Sequence, residues 1–214
     1  MRQFLLAAVW VALLLAGCNC PPDEKTDAIN LTPEARAFTV YTGSETLEFA
    51  APDGATLRFT APRGEEIGED RLCTRTICTE AKLGSPSSCE YTGAESRRYT
   101  FFTADNNAVL DVLIYTGQKE RNSTDWYDAV QVSFSSGTPS TAAHHIVRQR
   151  FSGELDQSKL GITAFFQPLD SVVVGGATLR NVLRHQEGSL AVFLEPNKGV
   201  VALRANGKDW LLRE

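Results

Sequence analysis

The residues best suited to chemistry in this 214-residue chain are its three histidines and two acidic pairs. His144 and His145 are adjacent, and adjacent side chains of a β-strand point to opposite faces, so both rings cannot bind one metal ion without a distorted backbone. His185 lies in another predicted strand, and we expect all three histidines to be structural. Glu65-Glu66 and Glu69-Asp70 offer oxygen ligands to Ca²⁺. They lack the spacing of a D-x-D-x-D-G loop, so we expect them to be solvated.

Motifs of the common catalytic sites are missing from the sequence. It contains no G-x-S-x-G nucleophile elbow, no H-E-x-x-H, no phosphate-binding P-loop and no C-x-x-C. We therefore predict no catalytic residue, no metal ligand and no cofactor, and expect the protein not to be an enzyme. A hydrolase whose catalytic groups lie far apart in the sequence stays open as a minor alternative.

The first 20 residues form a distinct segment. Arg2 precedes an apolar run from Phe4 to Leu15, and Leu15-Ala16-Gly17-Cys18 follows. This pattern resembles the bacterial type II signal peptide, whose lipobox ends in a cysteine that is acylated before cleavage. The resemblance implies that residues 1–17 are removed and that Cys18 carries palmitate and becomes the membrane anchor. The apolar run, of about 12 residues, is shorter than the roughly 20 that a spanning helix needs.

Charge and anchoring together limit the partners of the chain. The resemblance implies an extracytoplasmic protein of the bacterial cell envelope, held at the outer membrane on its periplasmic or surface face. The formal charge is −5, and lysine and arginine are scattered without a basic stripe, so we expect no nucleic-acid partner. The expected partners are the membrane, through the N-terminal lipid, and an envelope protein or glycan.

The other cysteines are even in number. Apart from Cys18 they are Cys20, Cys73, Cys78 and Cys89. In an exported chain such a set predicts disulfides, with three possible pairings that the sequence does not distinguish. At least one pair is expected to staple the segment that holds the last three. If two of these three pair together, Cys20 reaches the third or one thiol stays free. Zinc is disfavoured because the spacing is not C-x₂-C and no histidine is near.

The expected domain organisation has three parts. Residues 1–17 are the cleaved signal peptide, residues 18–43 a lipidated tether and spacer, and residues 44–214 a single β-rich domain. The spacer contains Pro21-Pro22 and one short predicted helix, in which Thr32 is the N-cap and Pro33 the first helical residue. We expect this spacer to lift the domain off the bilayer.

Alternating apolar residues predict a mainly β fold. Strands are expected at 46–49, where Leu47 and Phe49 alternate with Thr46 and Glu48, and at 56–60, on either side of the turn Ala51-Pro52-Asp53-Gly54. Residues 61–96 are predicted to form a long disulfide-stapled loop, with a short strand around 73–79 as an open alternative. Further strands are expected at 98–103, 108–116, 127–135, 144–151 and 162–166. Segments 171–174, 179–185, 190–194, 200–204 and 210–212 form a C-terminal β-meander, separated by turns such as Asn206-Gly207. The predicted architecture is an antiparallel sandwich or an incomplete barrel.

The end of the chain carries a second resemblance. The motifs are Val174-Gly175-Gly176 through Asn181-Val182, then Pro196-Asn197-Lys198-Gly199-Val200-Val201, and finally Gly207-Lys208-Asp209-Trp210-Leu211-Leu212. They resemble the ending of many uncharacterised lipoproteins of the Bacteroidota. The resemblance covers about 40 residues, implies an all-β lipoprotein and brings no activity with it.

Two functions remain. The first is a non-enzymatic binding or structural module of the envelope. The alternative is a periplasmic carrier of a lipid or small hydrophobic ligand, built as a half-barrel around a short helix. The candidate lining residues of the carrier are Phe101-Phe102, Phe134, Phe151 and Phe165-Phe166. The same side chains equally fill an ordinary core. A packed core favours the module, and an apolar cavity above about 300 Å³ favours the carrier.

Overall fold

The computed structural model describes residues 20–79 and 87–213. This part of the chain contains one short α-helix, α1 (Pro33–Arg36), and a 3-10 turn at Gln157–Lys159. The strands are β1 Glu24–Ile29, β2 Thr46–Ala50, β3 Thr56–Thr60, β4 Glu65–Cys78, β5 Ser88–Thr103, β6 Ala108–Gln118, β7 Trp126–Ser136, β8 Ser140–Gln149, β9 Gln167–Val174, β10 Ala177–Glu187, β11 Leu190–Glu195, β12 Gly199–Ala205 and β13 Lys208–Leu212.

All of these strands belong to one curled sheet. Eleven of them follow the order β8-β7-β6-β5-β3-β2-β13-β12-β11-β10-β9, and β1 and β4 both pair with β5. Every pairing is antiparallel except that of β1 with β5. The predicted β fold is confirmed, and of the two predicted architectures the sheet adopts the incomplete barrel.

The long hairpin of β4 and β5 replaces the loop expected at residues 61–96. β4 pairs with β5 from Glu65 opposite Tyr99 to Cys78 opposite Ser88. The prediction of a loop was wrong because most β4 side chains are exposed, so the strand lacks the apolar alternation that marks a half-buried strand. β5 is one continuous strand of 16 residues that joins this hairpin to the rest of the sheet.

The expected spacer is part of the domain from Glu24 onward. β1 pairs with β5, and the side chains of Leu31, Ala35, Phe38 and Tyr41 are buried in the main core. The boundary expected between residues 43 and 44 is therefore not a structural boundary. The predicted helix is confirmed, with Thr32 as its N-cap accepting a hydrogen bond from the Ala35 amide and Pro33 in its first turn.

The main core lies inside the curl of the sheet. Its largest fully buried side chains are Phe49, Phe59, Tyr99, Phe101 and Phe134. Helix α1 packs against β7 and β8 on one side of this core. The interior of the incomplete barrel is therefore filled by side chains of the protein itself.

The two ends of the curled sheet approach each other at a seam. The edge strand β8 forms an isolated bridge between His144 and Phe165, a residue of the segment that leads into β9. The His144 amide donates to the Ala164 carbonyl at 3.0 Å, and the Phe166 amide donates to the His144 carbonyl at 2.9 Å. The strand predicted at 162–166 does not form, and the segment makes this isolated bridge instead.

The C-terminal meander is confirmed as β9 to β13. It buries one face against the main core and the other in a second cluster that contains Val174, Val182 and Phe193. The turn between β9 and β10 reaches β13, where the Gly175 amide donates to Asp209 Oδ2 at 3.0 Å. The meander thus curls around a small core of its own.

Candidate binding sites

The cysteines form two disulfides at one end of the long hairpin. Cys20 pairs with Cys78, and Cys73 pairs with Cys89. The first pair joins the N-terminal segment to the end of β4, and the second crosses from β4 to β5. The predicted local staple is present, with Cys20 reaching the remaining cysteine. Cys18, the predicted lipidation site, lies outside the described residues.

The loop between β6 and β7 lies at this same end of the sheet. The Asn122 amide donates to the Cys73 carbonyl at 3.0 Å, and the Gln118 side-chain amide donates to the same carbonyl at 2.7 Å. Asp23 Oδ1 accepts from the Cys89 amide at 3.0 Å. We call this region the disulfide end of the sheet. Strand β6 begins at Ala108, at the opposite end of the sheet, and finishes at Gln118, at the disulfide end.

The histidines are kept apart, as the strand pattern predicts. His144 and Tyr115 share a hydrogen bond of 2.9 Å, whereas His145 packs on the ring of Phe38 with the centroids 6.0 Å apart. Burial lowers the pKa of both imidazoles. His185 is on β10 and packs against Phe166.

Each of the two acidic pairs of β4 has at least one carboxylate in an ion pair. Glu65 Oε1 accepts from Arg97 at 2.9 Å and from the Tyr99 hydroxyl at 2.6 Å, and Glu69 pairs with Lys25. In the ranges 20–79 and 87–213, no group of three or more histidine, cysteine or acidic side chains is arranged to hold a metal ion.

The phenylalanines that were candidates for a ligand cavity belong mostly to packed cores. Phe101, Phe134 and Phe166 are buried in the main core, and Phe151 packs at the edge of a third cluster around Tyr127 and Leu155. The curl interior therefore offers none of these buried rings to a ligand.

An open depression of about 620 Å³ lies where the chain segment after α1 crosses the C-terminal meander. We call it the apolar groove. Its lining residues are Val40, Tyr41, Glu45, Leu47, Ala177, Leu179, Glu195, Asn197, Lys198, Val201, Leu211 and Leu212. Eight of the twelve side chains are aliphatic or aromatic, and the polar ones include Glu195 and Lys198, which form an ion pair of 3.1 Å. No motif in the sequence predicts this groove, because its walls come from segments far apart in the chain.

Tyr41 fixes one wall of the apolar groove. Its hydroxyl accepts a hydrogen bond of 2.7 Å from the Val200 amide, and burial raises the pKa of the phenol. Gly199 has φ +78°, and a Cβ at this position would overlap the Tyr41 hydroxyl. Glycine is therefore required here both for the backbone conformation and for the close approach.

A second depression, of about 710 Å³, lies at the seam between β8 and β10. We call it the seam cleft. Its lining residues are Val109, Ser133, Phe134, Ser135, Ser140, Thr141, Ala142, Thr163, Ala164, His185, Gln186 and Glu187. In contrast to the apolar groove, hydroxyl and amide groups supply much of its wall. The only signal in the sequence is a scatter of serine and threonine around the strand ends, which is too common to single out a site.

Comparison with known proteins identifies no relative of this chain. No protein-family model, curated protein or solved structure matches the chain. Within the described residues, no helix has the length and apolar character needed to cross a membrane.

Proposed function

We propose that this chain is a lipid-anchored protein of the bacterial envelope whose β-rich domain is a non-enzymatic binding module, with the apolar groove as its binding surface. The observation that carries the proposal is the groove itself, about 620 Å³ in volume and lined mainly by apolar side chains. Concave apolar surfaces with a few polar groups at the rim are typical of binding sites.

The packing of the side chains around the groove supports this assignment. Leu179 and Leu211 are partly buried residues at the edge of the meander core, and Val40 on the facing segment is 37% exposed. These side chains are left in contact with solvent although the cores beside them are closed. An apolar segment of an envelope partner laid in the groove would remove this surface from water, which favours binding.

The disulfides support a fixed position of the β-rich domain relative to the predicted lipid anchor. Cys20, bonded to Cys78, follows the predicted lipidation site by two residues, and β1 begins four residues later. An acyl group on Cys18 would then be attached within two residues of the disulfide end. The domain would therefore rest with this end towards the membrane, on its periplasmic or surface face, and not at the end of a flexible spacer.

The second candidate is a carrier of a small hydrophobic ligand. The volume of the apolar groove exceeds about 300 Å³, the size at which a small-molecule site becomes feasible. However, the groove is open to solvent, and the interior of the curled sheet is filled by its own side chains. A lipid in this groove would be shielded from water on one side only, which makes the module the better-supported function.

Site-specific photo-crosslinking in the full lipidated chain tests the proposal. A photoreactive residue at Leu179, in the groove, is compared with one at Val173, an exposed apolar position (63%) on the neighbouring strand β9. We expect one defined envelope protein to be crosslinked from position 179 and not from 173. A lipid adduct confined to position 179 would establish the carrier instead. Equal or absent crosslinking at the two positions would contradict both functions of the groove.

A further inference from the structure

The seam cleft combines a polar wall with buried polar atoms that have no partner. In the described residues, five buried side-chain oxygen or nitrogen atoms lack a hydrogen bond: Ser88 Oγ, Trp126 Nε1, Thr141 Oγ1, Arg150 Nε and His185 Nε2. Two of the five, on Thr141 and His185, belong to residues that line this one cleft. Buried polar groups in folded proteins are normally paired, so two exceptions at one depression indicate a missing partner.

Both atoms are well shielded from solvent. Thr141 is 3% exposed and stands opposite Phe134 on β7, and the His185 side chain is 13% exposed. The nearest carboxylate to His185 Nε2 is Glu187, at 4.0 Å, which is too far for a hydrogen bond. Neither atom is therefore satisfied by the protein or by bulk water.

The rest of the cleft extends this polar surface. A neighbouring hollow of about 500 Å³ shares Thr163, Ala164, His185 and Gln186 with the cleft and adds Gln167 and Arg184. Hydroxyl and amide groups both donate and accept hydrogen bonds. The charged side chains at the two hollows, Arg184 and Glu187, have opposite signs, so the surface favours neither an anion nor a cation.

We infer that the seam cleft is a binding site for a neutral, hydroxyl-rich ligand, a saccharide unit, with Thr141 and His185 as its buried hydrogen-bonding groups. Sugar hydroxyls donate and accept hydrogen bonds in the same way as the hydroxyl and amide groups of the cleft wall. This site is separate from the apolar groove and does not depend on the function proposed for it.

The position of the cleft makes it available in the anchored protein. Val109 and Ser135 are near the end of the β6–β7 ladder that begins with Ala108 opposite Ser136. The disulfide end lies about ten residues away along β6, or roughly 33 Å at the rise of an extended strand. A glycan could therefore reach the seam cleft while the disulfide end faces the membrane.

Binding of neutral saccharides to the disulfide-bonded protein tests the inference. The protein is applied to an array of neutral oligosaccharides, and the two probes titrated by NMR are maltotriose and the trimer of N-acetylglucosamine, with glucose 6-phosphate as the charged comparator. We expect a neutral saccharide to shift the His185 imidazole and Thr141 methyl signals. Thr141→Val, which removes only the hydroxyl, is expected to weaken this binding about tenfold, the equivalent of one hydrogen bond.

The matched control is Thr60→Val, because Thr60 is an exposed threonine on β3 outside the cleft. It is expected to leave saccharide affinity unchanged, and His185→Phe provides a second variant that keeps a ring in place. The inference is overturned if no neutral saccharide binds, if glucose 6-phosphate binds more tightly than the neutral probes, or if Thr141→Val and His185→Phe both retain full affinity.

Discussion

Arg150 and Asp128 form an ion pair in which the carboxylate is completely buried. The guanidinium lies 2.7 Å from Asp128 Oδ1, and the side chain of Asp128 has no exposed surface. The same carboxylate accepts hydrogen bonds from the hydroxyls of Thr32 and Thr116, at 2.6 and 2.7 Å. One aspartate on β7 thus joins the helix cap, β6 and the end of β8.

Replacing Asp128 by Asn is expected to reduce the free energy of unfolding by about 3 to 5 kcal/mol. The substitution leaves Arg150, itself only 19% exposed, without its counter-charge. Urea unfolding followed by tryptophan fluorescence measures the change. Glu66→Gln is the control, since its pair with Arg63 is solvent-exposed at 3.9 Å and such pairs contribute little. Similar stability losses in the two variants would contradict a structural role for the buried pair.

The disulfide between Cys73 and Cys89 is expected to stabilise the domain by about 3 kcal/mol. The disulfide joins two residues with a sequence separation of 16. Closing a loop of about this length lowers the chain entropy of the unfolded state, which raises the free energy of unfolding by about 3 kcal/mol. The double variant Cys73→Ser/Cys89→Ser should therefore melt below the wild-type protein. An unchanged melting temperature under oxidising conditions would show that this pair does not stabilise the fold.

Gly199→Ala is expected to be more costly than Gly54→Ala. Both glycines have positive φ, which costs an L-residue about 1 to 2 kcal/mol. A Cβ at Gly54 meets nothing within 4 Å, whereas one at Gly199 overlaps Tyr41, which adds about 1 to 3 kcal/mol. Denaturant titration of the two variants measures the difference. Equal losses would mean that Tyr41 does not pack against this turn.

Stability is expected to fall as the pH is lowered from about 7.5 to 5. Burial lowers the pKa of His144 and His145, so below the unfolded pKa of about 6.5 the unfolded chain binds more protons than the folded one. The stability that comes from burying both imidazoles in their neutral form is fully present above the unfolded pKa. It is lost as the pH falls through the lower pKa that the two histidines have in the folded state. Urea midpoints at both pH values, for the wild type and for His144→Gln/His145→Gln, test this; an equal pH dependence would assign it to other groups.

Part of the fold could be predicted because local residue chemistry decides it. The turns at Ala51–Gly54 and Asn206-Gly207 combine residues that accept turn dihedrals with flanking apolar alternation, and the strands around them form as expected. The β4 strand could not be predicted in the same way. Its side chains pair with cross-strand partners such as Arg97 and Lys25, and this long-range pairing leaves no periodic apolar signal.

The two candidate sites could not be predicted from the sequence for a similar reason. The apolar groove brings Tyr41 to Val200, and the seam cleft brings Thr141 to the same depression as His185. These pairs are far apart in the sequence and meet only because the sheet curls. The burial of Phe38 and Tyr41 likewise depends on the whole sheet, so a segment that resembles a spacer in isolation becomes part of the core.

The lipid anchor is the central claim, and the intact mass of the protein purified from bacterial membranes tests it most directly. We expect a chain that begins at Cys18, carries a diacylglyceryl group and is lighter by two hydrogens for each of the two disulfides. Cys18→Ser should give a soluble form without palmitate label. An unacylated wild-type chain that retains Met1, or a labelled, membrane-bound Cys18→Ser variant, would contradict the account.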